Sequence, residues 1–318
     1  MRLLVTGGCG FIGSNFIIYM LEKYPDCRVI NLDKLTYAGN PENLKSIRDN
    51  PNYTFIKGDI CDREVVGKAM RKADCVVHFA AESHVDRSIE DDSVFVRTNV
   101  LGTNVLLRAA LENKIKKFVH ISTDEVYGSR KEGSFAETDI LEPSSPYSSS
   151  KAGSDLLALS FHSTYGLPVI ITRCTNNFGL YQYPEKLIPF FISLLLNGEK
   201  VPVYGKGQNI RDWIYVRDHC SAVDCLLHKG EEGEIYNIGG GNELTNIEIT
   251  HRLLKLLGKD ESLIKFVEDR KGHDFRYSLD CSKLRKMGWK PEFSFDEALE
   301  KTVKWYVENR WWWEPLRL

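Results

Sequence analysis

The chain has 318 residues, 42% of them hydrophobic, and its 42 Lys and Arg against 44 Asp and Glu leave a formal net charge of −2. This composition is typical of a soluble globular protein with one large domain or two unequal ones, and it excludes a mostly disordered chain. The lack of a basic stripe or an acidic block argues against a nucleic-acid partner. The longest apolar run, 188–196, contains Pro189 and Ser193 and is far shorter than the roughly 20 residues that a membrane span needs.

The first half of the chain alternates short apolar runs with longer amphipathic stretches. The runs are rich in β-branched residues and bounded by turn residues, as strands buried on both faces of a parallel sheet are. They lie at 2–6, 28–32, 53–56, 75–79, 118–122 and 169–172. Helical patterns cover 99–113 and 149–165. This alternation over about 170 residues predicts an α/β fold with a Rossmann-type, doubly wound parallel sheet.

The second half breaks this rhythm with prolines and glycines and predicts a smaller α/β lobe that binds the substrate. It contains helical patterns at 187–196, 246–257 and 295–309 and one strand, 234–238. We expect the two lobes to be interleaved along the chain. The Rossmann lobe comprises 1–172, 211–239 and a helix near 295–310, and the smaller lobe comprises 173–210, 240–294 and 311–318.

Three glycines follow the first predicted strand and open a helix. Gly7, Gly10 and Gly13 allow a tight turn, a backbone that approaches a pyrophosphate, and close packing of helix on strand. Asp33 comes 20 residues after Gly13, at the end of the second strand, where a carboxylate accepts hydrogen bonds from an adenosine ribose. An acid there repels a 2′-phosphate, so this end predicts NAD rather than NADP, with Lys34 weakening the preference. The alternative for Asp33 is a solvated strand end.

Tyr147 and Lys151 lie four residues apart, after Pro146, at the start of a predicted helix. Residues at this spacing share a helix face, so the phenol and the ammonium would project together. A neighbouring ammonium favours the phenolate, and the positive nicotinamide adds to this effect. The pair predicts a phenol that takes a proton from a sugar hydroxyl near neutral pH, although the YxxxK pattern by itself also occurs by chance.

The glycine turn and the Tyr147–Lys151 pair together resemble the extended short-chain dehydrogenase/reductase family, over essentially the whole chain. The segment 122–128 narrows the resemblance to the dTDP-glucose 4,6-dehydratases, because family epimerases and decarboxylases carry small hydroxylated or neutral residues in place of Asp124 and Glu125. The segments that share this resemblance are 33–40, 80–86, 176–179 and 184–189. The chain departs from the usual family residues at Phe178, Leu180, Tyr181 and Lys271.

The resemblance implies a lyase reaction in which NAD removes hydride from C4 of the sugar and later returns it to C6. Tyr147, with Lys151 beside it, would take the proton of the 4-hydroxyl, and Thr123 would orient that oxygen. Glu125 would remove the C5 proton, while a protonated Asp124 would help the C6 hydroxyl to leave as water. Adjacent carboxyls suit this division because like charges push their proton affinities apart. The alternative is a strand-end Asp-Glu pair that faces solvent.

The same resemblance assigns binding residues. For tightly bound, recycled NAD they are Gly7, Gly10, Phe11, Ile12, Gly13, Asp33, Lys34, Leu35, Thr36, Asp59, Ile60, Phe79, Ala80, Ala81, Ser83, Thr98, Tyr147, Lys151 and Asn177. For the sugar nucleotide, dTDP-glucose, they are Ser83, Thr123, Asp124, Glu125, Asn176, Lys186, Leu187, Pro202, Tyr204, Arg211, Asn246, Arg270 and His273.

Arg211 and Arg270 have the strongest physical case among the substrate residues, because a pyrophosphate suits fixed, permanently charged guanidinium forks. We expect Arg211 to lie in a loop before a helix. The alternative for these arginines is a surface ion pair with Asp212 or Asp269. Asp59 is explained almost as well as a helix N-cap.

The eight cysteines are scattered without a CxxC pair, which indicates buried thiols in a reducing cytoplasm rather than a disulfide frame or a metal site. The apolar N-terminus is too short for a signal peptide. In relatives the helices corresponding to 99–113 and 149–165 form a homodimer, which we also expect here. His84 is either a proton relay or a helix cap, and the tryptophans at 311–313 favour a packed end of the smaller lobe over a binding platform.

Two other functions stay open. One is another sugar-nucleotide enzyme of the same fold, a UDP-sugar 4-epimerase or a 4,6-dehydratase for a different nucleotide, since the preference for thymine comes from the resemblance alone. The other is a catalytically silent NAD-binding sensor or scaffold. That function predicts the loss of Tyr147, Lys151, Asp124 or Glu125, and all four are present.

Overall fold

A computed structural model describes residues 1–269 and 274–317. The strands are β1 (Arg2–Thr6), β2 (Arg28–Asp33), β3 (Tyr53–Lys57), β4 (Cys75–His78), β5 (Lys117–Thr123), β6 (Val169–Cys174), β7 (Asn176–Phe178), β8 (Val201–Tyr204), β9 (Ile210–Tyr215), β10 (Ile235–Ile238), β11 (Glu243–Thr245) and β12 (Ile264–Val267). The α-helices are α1 (Phe11–Lys23), α2 (Arg63–Met70), α3 (Val85–Glu90), α4 (Ser93–Phe95), α5 (Thr103–Glu112), α6 (Pro146–Tyr165), α7 (Leu187–Leu196), α8 (Val216–Lys229), α9 (Asn246–Leu256), α10 (Ser282–Lys286), α11 (Phe295–Glu308) and α12 (Arg310–Trp313).

The central sheet has seven strands in the order β3-β2-β1-β4-β5-β6-β10. Every neighbouring pair in it is parallel. The chain runs outward from β1 to β3 and then returns to place β4 on the other side of β1, so the strand order reverses between β1 and β4. Ligands of such sheets bind at the carboxyl ends of the strands, next to this reversal. The predicted Rossmann-type α/β fold is confirmed.

Helices cover both faces of this sheet because its strands are apolar on both sides. Successive residues of β1 point to opposite faces, as strand geometry requires. Val5 belongs to an apolar cluster that includes Phe16 of α1 and residues of α8 and α11. Leu4 belongs to a second cluster that includes Leu106 of α5 and residues of α2 and α6. The two clusters hold the strand ends rigidly in place for the site described below.

Two predicted helices begin at other residues than expected. α6 starts at Pro146 rather than at 149, because Ser145 and Ser148 exchange side-chain and backbone hydrogen bonds in a capping box. The helical pattern at 99–113 contains α5, which a π-helical segment, Val96–Gly102, precedes. Irregular helical turns of this kind are frequent at functional sites.

The second half adds two small sheets, β11-β9-β7 and β12-β8. β9 pairs in parallel with β7 and antiparallel with β11. The prediction that Arg211 lies in a loop is wrong, since it is the second residue of β9. The two glycines before it favoured a loop, but pairing with strands distant in sequence extends the backbone.

The chain ends in a largely buried aromatic turn. Trp312 donates from Nε1 to Asn43 Oδ1 at 2.8 Å, and Trp313 donates from Nε1 to the Tyr306 carbonyl at 2.8 Å. Trp311 is half exposed, with 51% of its surface accessible. Two of the three tryptophans thus pack as the interpretation of a packed end requires.

Within the described ranges, no helix is both long enough and apolar enough to cross a membrane. All eight cysteines are free thiols, and most of them are buried.

Candidate active site

A cavity of about 330 Å³ opens at the carboxyl ends of the central strands. Of the predicted site residues, those that line it are Gly7, Gly10, Phe11, Ile12, Gly13, Asp33, Lys34, Thr36, Asp59, Ile60, Phe79, Ala80, Ala81, Ser83, Thr98, Thr123, Asp124, Glu125, Tyr147, Lys151, Asn176, Asn177 and Lys186. The cavity therefore joins the predicted cofactor residues and the predicted catalytic residues in one space.

The glycine turn forms one end of the cavity and leaves no room for side chains. Gly7 has a φ of +70°, and a Cβ there would lie 2.6 Å from the Ala80 nitrogen. A Cβ on Gly13 would lie 2.3 Å from the Gly7 carbonyl oxygen. No side chain caps α1 at Gly10, so the first amides of this helix are available to an anion. This cradle fits the pyrophosphate of a dinucleotide.

Asp33 closes the adenosine side of the same end. Its carboxylate accepts hydrogen bonds from the backbone nitrogens of Cys9 and Leu35, each at 2.8 Å, and it is only 8% exposed. Burial raises the pKa of this carboxyl. Since a carboxylate has about four acceptor positions, Asp33 can hold this turn and still receive ribose hydroxyls. The alternative of a solvated strand end does not fit a buried carboxylate.

The rim beside Asp33 carries an ion pair. Lys34 lies 2.9 Å from Asp59. Asp59 is not a helix N-cap, because Asp62 caps α2 by accepting from the backbone nitrogens of Glu64 and Val65. The charge of Lys34 is thus partly neutralised where it could otherwise attract a 2′-phosphate.

The catalytic end begins where β5 stops. Thr123 caps the short 3₁₀ turn Asp124–Tyr127 by accepting from the Glu125 nitrogen at 3.3 Å, and its hydroxyl donates to Asp124 Oδ1 at 3.2 Å. Asp124 is 3% exposed, and its Oδ2 has no hydrogen-bond partner among the residues that the structure describes. Burial, and next the charge of Glu125, raise the pKa of Asp124 well above its usual value. Asp124 is therefore held as a neutral acid.

Tyr147 and Lys151 face this pair of acids from α6. Burial, and next the charge of Glu125, raise the pKa of the Tyr147 phenol, against a hydrogen bond with Thr123 that lowers it. Lys151 donates from Nζ to the Ile121 carbonyl at 2.7 Å, and burial lowers its pKa to about 8. In the protein by itself burial thus acts against the predicted acidity of Tyr147, and the combined effect of Lys151 and the nicotinamide stays a prediction. The phenol of Tyr147 is therefore neutral unless a further positive charge, such as the nicotinamide of NAD, lies beside it.

Six predicted residues do not line this cavity: Leu35, Leu187, Pro202, Tyr204, Arg211 and Asn246. Leu35 adopts a φ of +58° in the turn that Asp33 holds. Leu187 is the first residue of α7. Pro202 and Tyr204 lie on β8. Arg270 and His273 lie outside the described residues.

Arg211 lies on β9 of the three-stranded sheet, and Asn246 follows directly after β11 of the same sheet. Arg211 is 6% exposed, stacks 4.4 Å over the ring of Tyr277 and donates to the carbonyls of Ile210 and Asp274. Its charge lowers the pKa of Asp124 against the larger effect of burial. The surface ion pair considered for Arg211 is therefore wrong. Asn246 begins α9, and no group within 1–269 or 274–317 forms a hydrogen bond with its buried Oδ1.

Several cavity residues were missed by the reasoning from sequence. They include Ser122, Cys174, Thr175, Glu82, Gln182, Tyr183 and Glu185. Ser122, Cys174 and Thr175 could have been found from the rule that ligands bind at the carboxyl ends of parallel strands. Asn99 was also missed; its amide donates to Ser150 Oγ at 2.8 Å and so ties the π-helical segment to α6.

Glu185 closes the rim between the two halves of the chain. Its Oε1 accepts from the Tyr37 hydroxyl at 3.0 Å, while Oε2 lies 3.6 Å from both His84 and Arg87. His84 also caps α3, accepting from the Arg87 nitrogen at 3.3 Å. The helix-cap interpretation of His84 fits this geometry. Within 1–269 and 274–317, no three His, Cys, Asp or Glu side chains come together as metal ligands.

Comparison with known proteins agrees with this site. The family model described as GDP-mannose 4,6 dehydratase matches residues 4–302. A dTDP-glucose 4,6-dehydratase of Streptomyces niveus is 52% identical, with 100% of this chain and 96% of that protein covered. The low-salt glycan biosynthesis protein Agl12 of Haloferax volcanii is 54% identical, with 96% and 99% covered.

Among solved structures, DesIV, a dTDP-glucose 4,6-dehydratase of Streptomyces venezuelae crystallised with NAD, matches with a TM-score of 0.97 and 55% identity. The match covers 100% of both chains. The chain belongs to the extended short-chain dehydrogenase/reductases, in the family of nucleotide-sugar 4,6-dehydratases.

Proposed function

We propose that the protein is an NAD-dependent lyase that converts dTDP-glucose to dTDP-4-keto-6-deoxyglucose. The observation that carries this proposal is the pair Asp124 and Glu125 at the end of β5, in which Asp124 is buried as a neutral acid in the same cavity as Tyr147. An epimerase needs only to remove and return hydride at C4, whereas loss of water requires both an acid and a base. The dTDP-glucose 4,6-dehydratases among its relatives support dTDP-glucose as the substrate.

NAD fits the residues at the glycine end. The Cβ-free cradle of Gly7 and Gly13, the uncapped start of α1 and the buried carboxylate of Asp33 match a pyrophosphate and an adenosine ribose. The repulsion of a 2′-phosphate by Asp33 favours NAD over NADP. When bound, NAD would supply the redox chemistry, as the hydride acceptor for C4 and, once reduced, the hydride donor for C6 of the sugar.

The chain's own residues then divide the proton transfers. Tyr147 takes the proton of the 4-hydroxyl, and the Thr123 hydroxyl, which already contacts both Tyr147 and Asp124, holds that oxygen. The ketone at C4 makes the C5 proton acidic, and Glu125 removes it. Asp124 gives its proton to the C6 hydroxyl, which leaves as water. The proton on Glu125 returns to C5, and the sugar has lost only water.

A product assay tests the function directly. The protein, supplied with NAD, is incubated separately with dTDP-, UDP-, GDP- and CDP-glucose, and the sugar products are identified by mass and NMR. We expect a 4-keto-6-deoxy sugar, formed fastest from dTDP-glucose. An epimerised sugar without loss of water would contradict the proposal and favour the 4-epimerase. A faster reaction with another nucleotide would favour a dehydratase of that nucleotide, and no product at all would favour a silent NAD-binding protein.

Three further properties are proposed with this function. The chain divides into the NAD-binding and sugar-nucleotide-binding lobes given above, which is supported by the separate small sheets of the second half. The protein is cytoplasmic, which is supported by its free cysteines.

The third property is a homodimer through the Val96–Gly102 segment and α6. It is supported by the exposure of Val96, Leu101 and Leu156, which are 54%, 45% and 59% accessible. Light scattering should give a dimer mass, and Leu156→Glu should give a monomer.

A further inference from the structure

The tryptophans 311–313 take no part in the proposed reaction, and none of them lines the cavity. Trp312 is buried, and its ring packs against the rings of Tyr181 and Trp305, with centroids 5.8 and 5.1 Å away. The indole N–H of a buried tryptophan usually has a hydrogen-bond partner. The partner of Trp312 connects this end of the chain with the glycine turn.

That partner is the side-chain amide of Asn43, which is 1% exposed. Its Oδ1 accepts from Trp312 Nε1 at 2.8 Å, and its Nδ2 donates to the Cys9 carbonyl at 3.0 Å. An indole N–H can only donate and a carbonyl can only accept, so the two partners fix the orientation of the amide. Cys9 lies between Gly8 and Gly10 in the glycine turn. One buried amide thus joins Trp312 to that turn.

The backbone of Cys9 carries this connection into the cofactor end of the cavity. Its nitrogen donates to Asp33 Oδ2 at 2.8 Å, and its carbonyl also accepts from the Asn40 nitrogen at 2.9 Å. The Gly10 nitrogen donates to the Gly7 carbonyl at 3.1 Å. Because a peptide group is planar, the bonds to the Cys9 carbonyl also fix the direction of the Gly10 N–H, directly before the first residue of α1.

A second connection leads from the same aromatic residues to the wall of the cavity. Trp313 donates from Nε1 to the Tyr306 carbonyl, and the Tyr306 hydroxyl donates to the Gln182 carbonyl. Gln182 lines the cavity and donates from Nε2 to the carbonyl of Asn177 at 2.9 Å. Asn177 is one of the residues predicted to bind NAD. The aromatic turn is therefore bonded to the surroundings of the cofactor at two places.

We propose that Trp312 is a positioning residue for the bound dinucleotide, which acts through Asn43 on the peptide plane between Cys9 and Gly10. The indole N–H holds the Asn43 amide in the orientation in which Nδ2 reaches the Cys9 carbonyl. Without that N–H the amide can rotate, and the turn that receives the pyrophosphate is less ordered before the cofactor binds. The inference rests on the proposed use of NAD, but the order of the turn can be measured without any cofactor.

The first experiment measures that order in the full-length protein freed of NAD. Hydrogen–deuterium exchange is followed by mass spectrometry in the wild type and in Trp312→Phe, which keeps an aromatic ring but has no N–H. The readout is the peptide that contains residues 7–10, whose four amides all donate hydrogen bonds. We expect exchange there to be about 3- to 10-fold faster, as the loss of one hydrogen bond predicts. Unchanged exchange would overturn the inference.

The second experiment measures the release of NADH from the loaded protein, through the loss of its fluorescence after excess NAD is added. In Trp312→Phe the rate constant should rise about 3- to 10-fold. Trp289→Phe is the matched control, because Trp289 is also buried and donates from Nε1 to a side-chain oxygen, Ser221 Oγ, at 2.9 Å, away from the cavity.

The control variant should lower the melting temperature by a similar amount, while its NADH release stays within about twofold of the wild type and its exchange at 7–10 is unchanged. An equal acceleration of release in both tryptophan variants would show that general destabilisation frees the cofactor, and the positioning role of Trp312 would be wrong.

A third variant tests whether Trp312 acts through Asn43. Asn43→Asp keeps an acceptor for the indole but has no N–H for the Cys9 carbonyl, so it should accelerate NADH release by itself. Adding Trp312→Phe should then change the rate less than about twofold, because the connection is already broken. Two effects that multiply in full would contradict the role of Asn43.

Two further outcomes are covered by the same set of variants. If Trp312→Phe does not fold, Asn43→Asp tests the connection alone, and wild-type exchange at 7–10 in that variant would overturn the inference. A wild-type protein that binds no dinucleotide would overturn the proposed cofactor instead, and the exchange experiment would still decide whether Trp312 orders the turn.

Discussion

The glycine end and the catalytic end of the cavity differ in the groups that line them and in their proposed roles. At the glycine end the contacts are made by backbone atoms, and the carboxylate of Asp33 already accepts two backbone hydrogen bonds. At the catalytic end the contacts come from side chains, and the buried atoms Asp124 Oδ2 and Ser122 Oγ have no hydrogen-bond partner in the described part of the chain. The open groups of the first end are the backbone amides at the start of α1, whereas those of the second end are buried side-chain oxygens.

This difference separates binding from chemistry. A turn built from backbone groups costs the fold little stability, whereas buried side-chain polar atoms without hydrogen-bond partners destabilise it. Such groups are common where a protein carries out a reaction, because the shifted proton affinities depend on the same burial. Substitutions at the catalytic end should therefore reduce turnover with little loss of stability, and substitutions at the glycine end should reduce cofactor binding and stability together.

The largest effect is expected for Glu125→Gln. The variant should still oxidise C4, because Tyr147 and the glycine end are intact, but it cannot remove the C5 proton. Turnover should fall by about 10²–10⁴-fold, the range typical of a lost general base. Stopped-flow absorbance should show NADH that forms and persists on the enzyme. Normal turnover would show that Glu125 is not the base.

Asp124→Asn should reduce turnover by about 10²-fold or more through loss of the acid, and should stabilise the protein. The folded-state pKa of Asp124 is raised, so its stabilising contribution is present at low pH and is lost as the pH rises through that value. The asparagine has no proton to lose, so its advantage in melting temperature should be larger near pH 9 than near pH 5. A variant that loses stability at both pH values would contradict the assignment of a neutral Asp124.

Gly13→Ala should damage binding and stability together. The new Cβ would meet the Gly7 carbonyl oxygen at 2.3 Å, so the turn has to shift at a cost of about 1–3 kcal/mol. The measurements are the NAD content of the purified protein and the melting temperature. Gly67→Ala on α2 is the control, because its Cβ would meet only the end of Arg71 at 3.8 Å and should stabilise the helix by up to about 1 kcal/mol. Equal changes in NAD content and melting temperature in Gly13→Ala and Gly67→Ala would contradict the claim that binding and stability depend together on the glycine end.

Asp33→Asn should have the smallest effect. The amide oxygen can still accept one backbone hydrogen bond, but the charge that repels a 2′-phosphate is gone. We expect the preference for NAD over NADP to fall by about tenfold, with Lys34 aiding the phosphate. Calorimetric affinities for the two dinucleotides check this. An undiminished preference would mean that the shape of the turn, rather than its charge, selects the cofactor.

The glycine end of the cavity could be predicted from the sequence because the pattern that marks it is local. Three glycines and an acid at fixed spacing, between a strand and a helix, define a turn whatever the rest of the chain does. The strand that carries Arg211 could not be found in this way, since its partners Asn176 and Leu244 are distant in sequence and no alternation marks them. The effect of burial on the pKa of Tyr147 could not be predicted either, because burial depends on the whole fold rather than on the spacing to Lys151.

The three-stranded sheet β11-β9-β7 has a mechanical consequence. It joins Asn176, which lines the cavity, to Trp213, two residues beyond Arg211 on the same strand. Neighbouring strands are held about 4.8 Å apart, and each residue rises about 3.4 Å along its strand. The spacing between Asn176 and Arg211 is therefore set by backbone hydrogen bonds. The sheet thus fixes the distance from Asn176 in the cavity to β9, the strand that carries Arg211.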